Sequence, residues 1–260
     1  MHIQTQDGFI LDAVYNKVND SHTAIVFAHG MTVDKENEGI FVRAEDELNN
    51  AGYSTFRFDF RAHGASSGNS ITDFTISGEL QDMRDVMTFL KNEKNERIGL
   101  AAASFGGSIA ALYTSDNLEK IDALLLANPV MNYRHAFLEP ITPWGKQYFS
   151  NLPARLEKDG FIKVGSHDFA LGKTLFEEME KYAPCEALKK YSNPLLVMHG
   201  TGDTKVPYQD AYDCYEVLPN KHKKFVPIHG SEHGFHEEPH ESMVTKLVVD
   251  FFKEVFHDLV

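Results

Sequence analysis

Ser104 stands in the run Ala102-Ala103-Ser104-Phe105-Gly106-Gly107, between the apolar stretch Ile98 to Ala102 and a small-residue helical pattern beginning near Ser108. A sharp strand-to-helix turn there lifts the hydroxyl above a sheet, and its cramped backbone tolerates only small neighbours. A serine hydroxyl becomes a nucleophile when a base takes its proton, and that base needs a third group to fix its tautomer. Two later loops supply both: His199-Gly200-Thr201-Gly202-Asp203 after one β-rich run, and His229-Gly230-Ser231-Glu232-His233-Gly234-Phe235 after another. Ser104 is therefore read as nucleophile, His233 as general base and then acid, and Asp203 as the carboxylate that orients the imidazole and stabilises imidazolium.

Rival residues are set aside on position. Asp210 and Asp213 lie past Val206-Pro207, where a new helix starts, and His229 belongs to the strand rather than to the reaching loop. The transition state also needs donors for the developing oxyanion. Phe105 N–H follows the nucleophile, and Met31 N–H lies in His29-Gly30-Met31-Thr32 after an early strand. His236-Glu237-Glu238-Pro239-His240 spells H-E-x-x-H, but Pro239 would break the helix on which that zinc motif depends. No phosphate-cradling or dinucleotide-binding glycine motif follows a strand, so neither metal nor cofactor is expected.

Alternating elements must position these residues. Asp7-Gly8 between Ile3-Gln4-Thr5 and Phe9-Ile10-Leu11 predicts an opening hairpin. Ala24 to Ala28, Ser54 to Phe60 and Ile98 to Ala102 are continuous β-rich runs of the kind buried on both faces. Between them, Phe41, Ala44, Leu48 and Ala51, then Ile76, Leu80, Met83, Met87 and Leu90, recur at helical spacing. Strands at Ala123 to Leu126, Pro194 to Met198 and Phe225 to Ile228 follow, and Val244, Leu247, Phe251 and Val255 stripe a closing helix. The expected fold is α/β, a doubly wound, mostly parallel sheet. The alternation lapses over 131–190, which is rich in Pro and aromatic residues and reads as an inserted cap on a core of 1–130 and 191–260. Phe161 to Val164 and Asp168 to Leu171, joined across Gly165-Ser166, suggest a hairpin in it, and Thr174 to Tyr182 a helix.

With 260 residues, 42% hydrophobic and 24% charged, the chain can build a large core without staples. Its net charge of −13 disfavours nucleic acid and anionic membranes. Cys185 and Cys214 match no metal or redox spacing and are read as reduced packing residues. The opening Met1 to Asp7 carries no basic segment followed by an apolar run, and a cytoplasmic address is the default expectation.

His29-Gly30, Asp59-Phe60-Arg61-Ala62-His63-Gly64, the Ser104 turn and the Asp203 and His233 loops together resemble serine hydrolases of the α/β-hydrolase fold. In that fold the triad follows the order Ser, Asp, His. Ala102 replaces the first glycine of the usual G-x-S-x-G, and no active-site role is carried to Asp59 or His63. More narrowly, the chain resembles bacterial feruloyl and cinnamoyl esterases, near the serine aminopeptidase-like and monoglyceride-lipase-like groups. The resemblance implies hydrolysis of small or aromatic carboxylic esters through an acyl-enzyme, with a small-molecule ester as partner. A monoacylglycerol lipase, an aminopeptidase-like hydrolase and a non-turnover binder on the same fold stay open, as does a homodimer.

Overall fold

The computed structural model describes residues 1–116, 121–165 and 169–257. The chain opens with an antiparallel hairpin, β1 (His2–Gln4) and β2 (Ile10–Asn16), turned at Gly8 with φ +95°. Next come β3 (Thr23–Ala28), α1 (Gly39–Asn50), β4 (Ser54–Phe58), α2 (Ile76–Asn92), β5 (Arg97–Ala103), α3 (Ser104–Asp116) and β6 (Ala123–Ala127). A short π-helical turn at Arg134–Leu138 leads to α4 (Pro143–Phe149), α5 (Leu152–Asp159), β7 (Phe161–Val164), β8 (Phe169–Gly172), α6 (Lys173–Met179) and α7 (Pro184–Leu188). The chain then runs through β9 (Leu195–Gly200), α8 (Tyr208–Val217), β10 (Lys223–Ile228) and α9 (His240–His257).

Among the described residues the main sheet has eight strands in the order β1-β2-β4-β3-β5-β6-β9-β10. The six strands from β4 to β10 in that order pair in parallel, and β2 meets β4 antiparallel. The doubly wound sheet is thus the one expected. Its strands read as unbroken apolar runs because both faces are covered. Along β3, Ala24, Val26 and Ala28 pack with Leu80, Met83 and Met87 of α2. Ile25 and Phe27 face the other way, onto Phe41 and Leu48 of α1 and Val248 and Phe252 of α9. Gly99 lets α9 press against the sheet, since a Cβ there would lie 2.7 Å from the Phe252 ring.

Between β6 and β9 the aromatic residues mostly pack inward. Phe137, Phe149, Leu175 and Phe176 join the same buried cluster as α2 and α3. This segment is sewn to the sheet's surroundings, with Glu178 accepting from Ser77 N at 3.0 Å and Ser70 Oγ accepting from Ala170 N at 3.2 Å. β7 and β8 form the expected antiparallel pair. The turn residue Ser166 and the expected strand start at Asp168 lie outside the described residues.

Two expectations are corrected. Cys185 on α7 and Cys214 on α8 are not reduced packing residues but a disulfide, with Cα atoms 5.7 Å apart. They flank β9 and lie 29 residues apart in sequence, so spacing alone carried no sign that the fold brings these helices within bridging distance. The helix expected near Ser108 begins at Ser104 itself. Among the described residues, no helix is long and apolar enough to cross a membrane.

Candidate active site

Ser104 stands at the direct junction of β5 and α3, and Asp203 and His233 come from the loops after β9 and β10, all at the carboxyl edge of the sheet where ligands gather in this architecture. Ser104 has φ +51°, a left-handed conformation rare for a residue with a Cβ. The crowding is visible in two glycines. A Cβ on Gly106 would lie 2.3 Å from the His29 carbonyl oxygen, and one on Gly30 would lie 2.9 Å from Ser104 Cβ. The turn therefore packs directly against the end of β3, and Ala102 just before it is fully buried.

His233 Nε2 lies 3.1 Å from Ser104 Oγ, and His233 Nδ1 lies 2.7 Å from Asp203 Oδ2. The Asp203 side chain is fully shielded, while His233 retains 15% exposure toward the cleft. Asp203 Oδ1 accepts from Lys205 N at 2.8 Å and Val206 N at 2.9 Å, so its loop wraps the carboxylate in backbone donors. His199 Nε2 adds a contact to Oδ2 at 3.2 Å. Burial alone would raise the Asp203 pKa. The charge of His233 and the bonds from His199 and His233 outweigh it and hold the carboxylate well below its usual range. Such an acid stays ionised and forces the proton of His233 onto Nδ1, leaving Nε2 free to take the hydroxyl proton of Ser104.

Of the two oxyanion candidates, Phe105 follows Ser104 directly and Met31 lines the cleft. Phe105 is the second residue of α3, so its N–H is among the first four of the helix, which have no intrahelical acceptor. Met31 lines the cleft beside Ser104. Phe60 N donates to His29 Nε2 at 3.0 Å, so His29 Nδ1 carries the proton and donates to Gly30 O at 2.7 Å. Burial pushes the His29 pKa down to about 4, which keeps this ring neutral. In a trans peptide C=O and N–H point opposite ways. With the Gly30 oxygen held by His29, the Met31 N–H is turned away from that ring.

The cleft encloses about 100 Å³. Ile40, Val130, Ala136, Phe137, Trp144 and Val206 give it an apolar lining, with Asn37, Glu38, Lys205 and His236 as polar groups. Thr142 Oγ1 donates to Lys205 O at 3.0 Å, tying the start of α4 to the loop that carries Asp203.

The set-aside residues have other occupations. Asp210 binds His135 at 2.8 Å, and Asp213 accepts from Gln209 Nε2. His229 is not within the strand, as expected, but just past it in an exposed turn, its carbonyl accepting from His240 Nε2. His236 precedes α9 whereas His240 starts it, so the H-E-x-x-H letters do not share a helix. Asp59 accepts from Lys35 N at 2.7 Å and Ala65 N at 2.8 Å, loop support as read from the sequence. Reasoning from sequence missed Glu38, His199 and the lining residues Phe137 and Trp144. Of these, His199 alone carried a signal, as the first residue of the quoted Asp203 motif.

A family model described as serine aminopeptidase, S33 matches residues 19–240. An acyl transferase of Vibrio campbellii is 28% identical over 207 residues, a match that covers 76% of this chain and 64% of that protein. The chain thus spans less than two thirds of that relative's length. Est1E of Butyrivibrio proteoclasticus, solved with ferulic acid bound, superposes with a TM-score of 0.83 at 23% identity over 99% of both chains. A monoacylglycerol lipase of Paleococcus ferrophilus superposes with a TM-score of 0.71 at 18% identity, over 94% of this chain and 99% of that one. At these identities the structural likeness is one of fold.

Proposed function

The chain belongs to the serine aminopeptidase S33 family and has an α/β-hydrolase fold, and from that premise we propose that it cleaves carboxylic esters of small or aromatic acyl groups. The observation that carries this reading is the unbroken relay from Asp203 Oδ2 through His233 to Ser104 Oγ, at 2.7 and 3.1 Å. Ser104 Oγ attacks the ester carbonyl as His233 Nε2 takes its proton, and Asp203 stabilises the imidazolium so formed. The N–H groups of Phe105 and Met31 receive the oxyanion. Collapse of the tetrahedral species expels the alcohol, which takes the proton from His233. Water, deprotonated by the same imidazole, then releases the acid and restores Ser104.

The segment 131–190 serves in this reading as the cap over the acyl site. A cleft of about 100 Å³ with an apolar lining favours short or flat acyl groups over long chains. Ferulic acid bound to Est1E on the same fold makes hydroxycinnamate esters the aromatic substrates to try first. The test is labelling of wild type and Ser104→Ala with a fluorophosphonate, followed by kcat/KM on nitrophenyl esters of rising chain length, methyl ferulate and an aminoacyl arylamide. Labelling lost in Ser104→Ala, with short or aromatic esters preferred, is expected. Equal labelling of both proteins overturns the nucleophile. Faster arylamine release than ester cleavage turns the assignment toward a peptidase, and acyl delivery to an added alcohol in preference to water turns it toward a transferase.

A further inference from the structure

We propose that Glu38 is a positioning residue for the oxyanion turn: its buried carboxyl holds the Gly30 amide and so keeps the adjoining Met31 N–H turned into the cleft. This rests on the reading of Met31 as an oxyanion donor.

Glu38 is 8% exposed and borders the cleft that contains Ser104 and His233. Among the described residues, no cation lies within ion-pair distance of its carboxylate. Burying a carboxyl without a countercharge is costly, and such groups persist where a specific bond uses them. The bond here is Gly30 N to Glu38 Oε2 at 3.2 Å. Burial pushes the carboxyl above its usual range, against the pull of the Gly30 amide and the charges of His233 and Lys205. A protonated carboxyl still accepts through its carbonyl oxygen, so the clasp survives either state.

The need for this bond follows from the close approach described above. Gly30 has no side chain because Ser104 Cβ occupies the space one would need. Glycine leaves both of its torsions loosely restrained, so the turn requires fixing from outside. Two side chains do it on successive peptides: Glu38 grips the N–H of the first, and His29 Nδ1 grips the C=O of the second at 2.7 Å. Glu38 is itself anchored. Its carbonyl accepts from Phe41 N at 3.0 Å at the start of α1, whose buried face packs with α9.

The experiment compares Glu38→Gln, which keeps an acceptor oxygen at the same reach, with Glu38→Met and Glu38→Asp, which remove it or draw it back. Steady-state kinetics on p-nitrophenyl acetate are measured beside the inhibition constant of a small alkylboronic acid, whose tetrahedral adduct needs the same donors. The Met and Asp variants should lose about 10- to 100-fold in kcat, with KM within about twofold and boronate affinity falling in step. The Gln variant should stay within about threefold of wild type, with all variants checked by thermal melting. Full kcat in a folded Met or Asp variant, or a Gln variant as impaired as Met, overturns the proposal. Ser104→Ala run alongside separates the two readings: activity persisting there brings down the nucleophile, whereas its loss with an unimpaired Met or Asp variant brings down only the role of Glu38.

Discussion

His199 Nε2 lies 3.2 Å from the same Asp203 Oδ2 that meets His233 Nδ1 at 2.7 Å, so one carboxylate oxygen serves two imidazoles. Both His199 and Asp203 side chains are fully shielded from solvent. A hydrogen bond to a buried charged group contributes about 1.5–3 kcal/mol. Part of that should appear in catalysis, because an unrestrained carboxylate holds His233 less well. His199→Phe, which keeps an aromatic ring and drops the donor, should lower kcat/KM for a short nitrophenyl ester by about tenfold and lower the melting temperature by a few degrees. Unchanged kcat/KM would confine His199 to packing.

Gly30→Ala tests the packing of the turn. The added methyl would meet Ser104 Cβ at 2.9 Å, closer than two such carbons tolerate, so the turn or the serine must move. The expected outcome is a fall in kcat of at least about 10-fold, rising toward the roughly 100- to 1000-fold cost of losing an oxyanion donor outright. Slower fluorophosphonate labelling should accompany it. Wild-type labelling kinetics in the Ala variant would show that the turn relaxes without cost.

Trp144 is half-buried on the wall of the cleft. Replacing it with alanine removes a large ring from a cavity of about 100 Å³ and should shift the nitrophenyl ester preference toward longer acyl chains. The measurement is the ratio of kcat/KM for octanoate to that for acetate, expected to rise by about tenfold. A constant ratio would place the acyl chain elsewhere.

Acid should weaken the fold through His63. Burial, with competition from the neighbouring His29 imidazole adding to it, pushes its pKa down from 6.5 to about 3. The unfolded chain therefore takes up this proton first. The stabilisation is complete above pH 6.5 and drains away as pH falls from 6.5 toward 3, at about 1.4 kcal/mol per pH unit. Urea melts of wild type and His63→Phe at pH 7 and pH 5 check this: the stability difference between the two proteins should shrink by about 2 kcal/mol on acidification. A difference independent of pH would mean that His63 takes up its proton in the folded chain as readily as in the unfolded one.

The meeting of Ser104, Asp203 and His233 was legible because each stands just past an apolar run, and strand ends fix where such residues gather. Ser104 could be placed even without a leading glycine, since the turn needs a small residue there and Ala102 is small enough. His199 and Glu38 were legible only as letters. Their roles depend on distances across the fold, between segments whose sequence separation says nothing of contact. The same cause hid the Cys185–Cys214 bond, which needed α7 and α8 side by side. Aromatic residues between β6 and β9 read as a break in the alternation, yet sequence could not divide those buried with α2 and α3, such as Phe176, from those such as Trp144 that reach the cleft.

The bond between Cys185 and Cys214 closes a covalent ring that encloses β9 and Asp203. A protease that cuts the backbone once inside this ring leaves a single molecule, because the two pieces remain joined through sulfur. The segment bearing Asp203 is then still tied to the one bearing Ser104, and a nicked chain would run at full size until a reductant parts it. A cut outside the ring has no such tether.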